Sequence, residues 1–183
     1  MKQKILILLV LMACSFARAG ELRISSAEPI VVTAPDQWQM TKEKGPTGSV
    51  VLEASRISPP QGRNAMCLVS ILGKNQTNFT DPAMLKKLLV ADSRPYVSSP
   101  DDLSKVEAKE LKIAGGLGYY ANFIDPDLVG KPVKTGEFKT ATPVIVSLGS
   151  KYLLKVTILC DDLKGPDYRD AIKIVESIMI KSE

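Results

Sequence analysis

The sequence predicts an α+β domain: a mostly antiparallel sheet of about 6–8 strands covered by a mid-chain helix and a C-terminal helix. Three observations carry this. Short β-branched or alternating runs, punctuated by Pro, Gly and Asp, fill most of residues 22–160. The apolar period shifts to helical spacing only over 82–91 and 166–180. The strands between follow one another as meanders, with one helix in the middle and one at the end.

Residues 20–28 are a polar lead-in with a short strand at 22–25, and Pro29-Ile30-Val31-Val32-Thr33-Ala34 reads as a strand ended by the turn Pro35-Asp36. A strand at 38–42, the turn Gly45-Pro46-Thr47-Gly48, a strand at 49–57 and the loop Ser58-Pro59-Pro60-Gln61-Gly62 follow. Over 64–72, Ala65, Cys67, Val69 and Ile71 line one face while Met66, Leu68 and Leu72 line the other, which predicts a central strand covered on both sides. Asp81 is a good N-cap, Pro82 suits the first helical position, and Met84, Leu85, Leu88 and Leu89 recur at helical spacing, so a helix is expected over 82–91.

A Pro/Ser/Asp-rich connector at 93–103 leads to a strand at 105–113. There Val106 and Ala108 have one parity and Leu111 and Ile113 the other, a slip that predicts a bulge at Lys109-Glu110. Gly115-Gly116 turns the chain into a strand at 117–124, and residues 125–135 form a loop. Strands at 137–148 and 151–160 are joined by a Gly149-Ser150 hairpin turn. The last helix is expected over 166–180, with Ala171, Ile174, Val175, Ile178 and Met179 as its apolar stripe and Arg169, Lys173, Glu176 and Lys181 facing solvent.

Residues 1–19 read as a secretion signal: Lys2 and Lys4, an unbroken apolar run over 5–12, and Ala17-Arg18-Ala19 as a small-x-small cleavage site, so that the mature domain spans 20–183. A second processing reading stands beside it, because Leu11-Met12-Ala13-Cys14 resembles a lipobox, and lipidation of Cys14 would anchor the protein to a membrane surface. The Ala-x-Ala site is the better formed of the two. The run at 5–12 falls far short of the ~20 residues of a membrane span, and none is expected elsewhere. The protein is therefore expected to be exported: periplasmic or secreted, or a membrane-anchored lipoprotein.

Losing residues 1–19 removes Lys2, Lys4 and Arg18 and no acid, which leaves 21 basic against 20 acidic residues, a net charge of +1. The whole-chain pI of 8.9 overstates the mature basicity. With no Lys/Arg block interleaved with aromatics, nucleic acid is not the expected partner. Cys67 and Cys160 both fall on predicted strands with apolar neighbours of their own parity. In an oxidising compartment such a pair tends to be joined, and a disulfide is the expectation, with two separate buried thiols as the alternative.

The chain has no histidine, which removes the commonest general base, the triads that depend on it and the usual zinc site. Asp125-Pro126-Asp127 and Asp161-Asp162 lack the alternate-position ligands of a calcium loop and read as Asp-rich turns. Gly115-Gly116-Leu117-Gly118 is followed by strand character instead of a helix, so it reads as a turn and not as a dinucleotide fingerprint. No catalytic residue, cofactor or metal is expected. Tyr119, Tyr120 and Phe123 are the candidate binding surface, with Tyr119, Ala121 and Phe123 on one face by strand alternation. Trp38, the single tryptophan, is expected to anchor the core. Asn75-Gln76-Thr77 and Asn78-Phe79-Thr80 are sequons; in a bacterial envelope they serve as a polar loop before Asp81.

The opening Ile30-Val31-Val32-Thr33-Ala34-Pro35-Asp36-Gln37-Trp38, the mid-chain helix at 82–91, and the late hairpin at 142–157 running into Ile174-Val175-Glu176-Ser177-Ile178 together resemble the Mog1/PsbP-like fold and, among exported bacterial proteins, its DcrB-type members. The resemblance covers nearly the whole mature chain. That group includes photosystem accessory proteins, a nuclear transport factor and bacterial envelope proteins, so it implies a fold far more than a function. The leading expectation is a non-enzymatic exported envelope protein that binds another envelope protein or assists an assembly. A periplasmic immunity or inhibitor protein against a toxin or lytic enzyme is one alternative. A carboxylate-dependent hydrolase is another, to be recognised by a deep pocket with convergent Asp, Glu or Lys.

Overall fold

The computed structural model describes residues 17–18, 21–25, 28–44, 50–57, 64–74, 79–149 and 151–181. The rest of residues 1–19, with Cys14, the turn at 45–48, the loop at 58–62 and the sequon asparagines Asn75 and Asn78 lie outside them. In chain order the elements are β1 (Ala17–Arg18), β2 (Glu21–Ser25), β3 (Glu28–Thr33), β4 (Trp38–Lys44), β5 (Val50–Arg56), β6 (Ala65–Lys74) and α1 (Pro82–Asp92). There follow the single turn α2 (Pro100–Leu103), β7 (Lys109–Ile113), β8 (Gly116–Tyr120), β9 (Phe123–Ile124), β10 (Thr140–Leu148), β11 (Tyr152–Cys160), α3 (Pro166–Glu176) and β12 (Met179–Ile180).

The protein is α+β, with an antiparallel main sheet ordered β1-β4-β5-β6-β11-β10-β8-β7, onto which β9 adds by pairing with β10. β12, β3 and β2 make a second, small antiparallel sheet. Among the described residues no helix is long and apolar enough to cross a membrane.

Two apolar clusters lie on opposite faces of the main sheet. The larger gathers Met40, Leu52, Cys67, Val69, Val146, Leu154, Val156 and Ile158 under α3 (Ala171, Ile174, Val175) and under Ile24, Ile30 and Val32 of the small sheet. Trp38, fully buried, belongs to it, as expected of a core anchor. The smaller cluster packs Leu85 and Leu89 of α1 on Tyr119, Ala121, Ile145 and Leu153. α1 begins where its cap requires: Asp81 is extended (φ −75°, ψ 111°) and its carboxylate accepts from the Ala83 N–H at 2.9 Å.

Several expected boundaries move for local reasons. The expected bulge at Lys109-Glu110 is absent. β7 pairs with β8 in unbroken register, and the change of parity arises because Val106 and Ala108 pack on the α1 side while Leu111 and Ile113 face α3. A register shift occurs in β6 instead: Ile71 faces Leu154 and Gly73 faces Leu153, so Leu72 is the extra residue and stands 53% exposed. β6 is central, yet its second face, with Met66 and Leu68 half-buried, is only partly covered.

The β10–β11 loop takes in Lys151 as well, since Leu148 pairs with Tyr152. The last helix stops at Glu176, short of the expected 180, and Met179–Ile180 pair with Val31 and Ile30 as a strand. Met179, expected in the helical stripe, is exposed.

Candidate functional site

A sheet of eight strands is about 34 Å across at the usual spacing, whereas a helix covers about 10 Å. α3 and the small sheet therefore cannot hide one whole face. The small sheet sits by β5, and α3 rests on β6 and β11 with one flank against β7. What stays open is a groove of about 600 Å³ between the outer flank of α3 and the β7–β8 end of the sheet. Its apolar wall is Leu111, Tyr120, Leu163, Tyr168 and Ile172, and its charged rim is Lys164, Arg169, Lys173 and Glu176.

The position of α3 is fixed from its other flank. Arg56 of β5 donates to the Asp167 carboxylate in the first helical turn, and the Gln37 amide donates to Asp170 at 2.7 Å. Tyr168, Ile172 and Glu176, spaced four apart, then share the groove-side face of the helix.

Beneath the groove lies a polar knot that a proline creates. Pro143 stands within β10 with no N–H to offer, and its carbonyl accepts from Ala121 at 3.3 Å. Pairing on that side stops at Tyr120 and resumes at Phe123, so the single strand expected over 117–124 is split into β8 and β9. Asn122, freed from the ladder, turns its Oδ1 to accept from Thr142 Oγ1 at 2.8 Å and from the Tyr168 hydroxyl at 3.0 Å. Burial raises the Tyr168 pKa above the ordinary phenol value, against the lowering effect of its hydrogen bonds to Thr142 and Asn122, so the hydroxyl stays protonated and donating.

The sequence-predicted residues are dispersed. Tyr119 is 5% exposed, with Lys86 Nζ 5.0 Å from its ring centroid, and belongs to the α1-side cluster together with Ala121 and Phe123, the shared face that alternation predicts. Phe123 stacks on Tyr96 at 5.6 Å. Tyr120 points to the opposite face and lines the groove. The three aromatics therefore do not form one binding surface, because alternate residues of a strand face apart.

Cys67 and Cys160 are buried free thiols and not the expected disulfide. They do sit on neighbouring strands and share a face, but Cys67 is opposite Ile158 and Cys160 opposite Ala65, a diagonal relation. Diagonal partners stand about 7–8 Å apart, beyond what a bridge spans without backbone movement. The Cys160 sulfur instead meets Thr140 Oγ1 at 3.0 Å. Burial pushes the Cys67 thiol up to about 12 and raises that of Cys160 as well, so neither supplies a thiolate nucleophile at neutral pH.

The aspartates expected in turns act there. Asp125 caps Pro126–Leu128 by accepting from the Asp127 N–H, and Asp162 accepts from the Lys164 N–H. Asp161 accepts from the Asn64 and Lys139 N–H groups, joining the start of β6 to the approach to β10. Among the described residues no three His, Cys, Asp or Glu side chains are grouped to hold a metal ion.

The groove residues Leu163, Lys164, Tyr168 and Ile172 escape sequence reading, since they flank the core stripe of α3 without a pattern of their own. Pro143 inside an otherwise regular strand is the one local sign that the ladder breaks beside them. Comparisons with family models, with curated proteins and with solved structures found no match to this chain.

Proposed function

We propose that the chain is an exported, non-enzymatic accessory domain of the cell envelope, of Mog1/PsbP-like fold, that binds another envelope protein through the α3/β7–β8 groove. The observation that carries the reading is the groove itself: an apolar floor open to solvent, with a protonated tyrosine and an asparagine beneath it and a rim in which three of four charges are positive. Concave apolar surfaces with a few oriented polar groups are where recognition concentrates. Export is supported by the signal-like residues 1–19. Cleavage before Gly20 would take away β1 and leave β4 as the outer strand.

The test is a photo-crosslinking amino acid at Ile172, in the groove, compared with one at Ile124, which is 58% exposed and lies outside it. Irradiation of cells producing the protein should give a discrete adduct with one envelope protein from Ile172 and none from Ile124. Adducts from both positions alike, or from neither, would overturn the proposal.

A further inference from the structure

We infer that the groove takes an extended, acidic segment of the partner as an added strand along β7. The inference rests on the protein-binding reading above and adds the conformation and charge of what is bound. Among the described residues β7 ends the main sheet and pairs only with β8, so its outer edge presents backbone N–H and C=O groups outside any ladder. The same strand forms a wall of the groove, with Leu111 beside Tyr120, while Ile172 of α3 completes the apolar lining. An edge strand facing a helix across an apolar trough is the arrangement that β-strand addition uses: main-chain bonds give affinity, and alternate side chains drop into the trough.

The charges choose the strand. Lys164, Arg169 and Lys173 outnumber Glu176 on the rim, and exposed Lys109 shares the parity of Leu111 on β7, which puts a further cation on the groove-facing side. Arg169 bonds the Lys164 carbonyl at 2.9 Å, which holds its side chain near the rim, while Lys173 pairs with Asp170 at 3.6 Å, which offsets its charge and leaves Lys164, Arg169 and Lys109 to set the positive sign. Lysines on an edge discourage indiscriminate pairing. A segment alternating apolar residues with Asp or Glu meets apolar wall and cationic rim together.

The experiment titrates the full chain with three short fluorescein-labelled peptides: one alternating valine with glutamate, one with lysine in place of glutamate, and the acidic peptide N-methylated at alternate amides. Amide exchange of residues 109–113 is followed alongside. The acidic peptide should bind and slow exchange in that stretch, and the lysine peptide should bind about tenfold more weakly, the effect of two or three cross-strand charge pairs. N-methylation should abolish binding. The double variant Lys164→Glu/Lys173→Glu, at two exposed positions, should lose about tenfold, while Lys87→Glu on α1 should lose nothing.

Equal binding of the N-methylated peptide would overturn strand addition, equal binding of the lysine peptide would overturn the charge assignment, and no binding of any peptide would overturn the inference whole. A crosslinked partner at Ile172 would in each case keep the protein-binding reading standing. Failure of both experiments removes both.

Discussion

Replacing Asp167 with alanine tests how α3 is held, and hence what sets the groove's width. Asp167 and its partner Arg56 have side chains 9% and 20% exposed. Losing the carboxylate strands a largely desolvated guanidinium whose Nε has no partner among the described residues. A stranded buried charge costs about 3–5 kcal/mol. Because Arg56 keeps some exposure and a flexible stem that can swing toward water, the lower end applies, about 3 kcal/mol. Replacing Arg56 with methionine as well, beside Asp167→Leu, removes the stranded guanidinium and should recover most of that loss. Trp38, the single tryptophan and fully buried, reports urea unfolding at neutral pH by its own fluorescence. A single-variant loss below about 1 kcal/mol, or a double variant as unstable as the single, would refute the account of the pair.

Three further outcomes are expected. Gly116→Ala would set a Cβ 2.1 Å from the Ser147 carbonyl oxygen, so β8 must move from β10 and stability should fall by about 1–3 kcal/mol in a urea titration. Burial, and then the nearby Glu43, hold the Glu53 carboxyl above the ordinary carboxylate range. The native state then keeps a proton that the unfolded chain gives up, so this group makes stability fall as pH rises above the ordinary carboxylate value and return on acidification. Glu53→Gln should remove that contribution just above the ordinary carboxylate value, and unfolding curves of unchanged pH slope there would count against it. Cys67 and Cys160, buried with raised pKa values, should resist iodoacetamide in the folded protein and react once it is unfolded; rapid native labelling of either would contradict their burial.

Where structure is local, the residues announce it. Asp81 and Pro82 mark the start of α1 because a cap needs only an oxygen and a ring already set for the helix, and the alternation of Leu154, Val156, Ile158 and Cys160 marks β11. Where structure depends on distant partners, the signs mislead. Ile178 and Met179 continue the helical period of α3, yet the helix ends because Ser177 Oγ accepts from the Thr33 N–H at 2.9 Å and β3 recruits Met179 and Ile180 into its ladder. The cysteines' shared face was legible, and their two-residue offset was not, since register between β6 and β11 is set by the whole sheet. The groove was the least legible feature. It is a shortfall of cover over one end of a sheet, and its lining comes from residues as far apart as Leu111 and Glu176.

β2 and β12, from opposite ends of the described chain, flank β3 in one small sheet, and Lys181 closes on the Pro29 carbonyl at 2.8 Å. A chain that emerges from its N-terminus must leave one edge of β3, with the apolar run Ile30-Val31-Val32, unpaired until Met179 and Ile180 emerge. Contacts that span nearly the full sequence are slow to form and leave open edges exposed meanwhile. The time between the emergence of β3 and its closure is thus when the protein is most prone to associate with itself, and a holding chaperone would act on this clasp before anything could act on the groove.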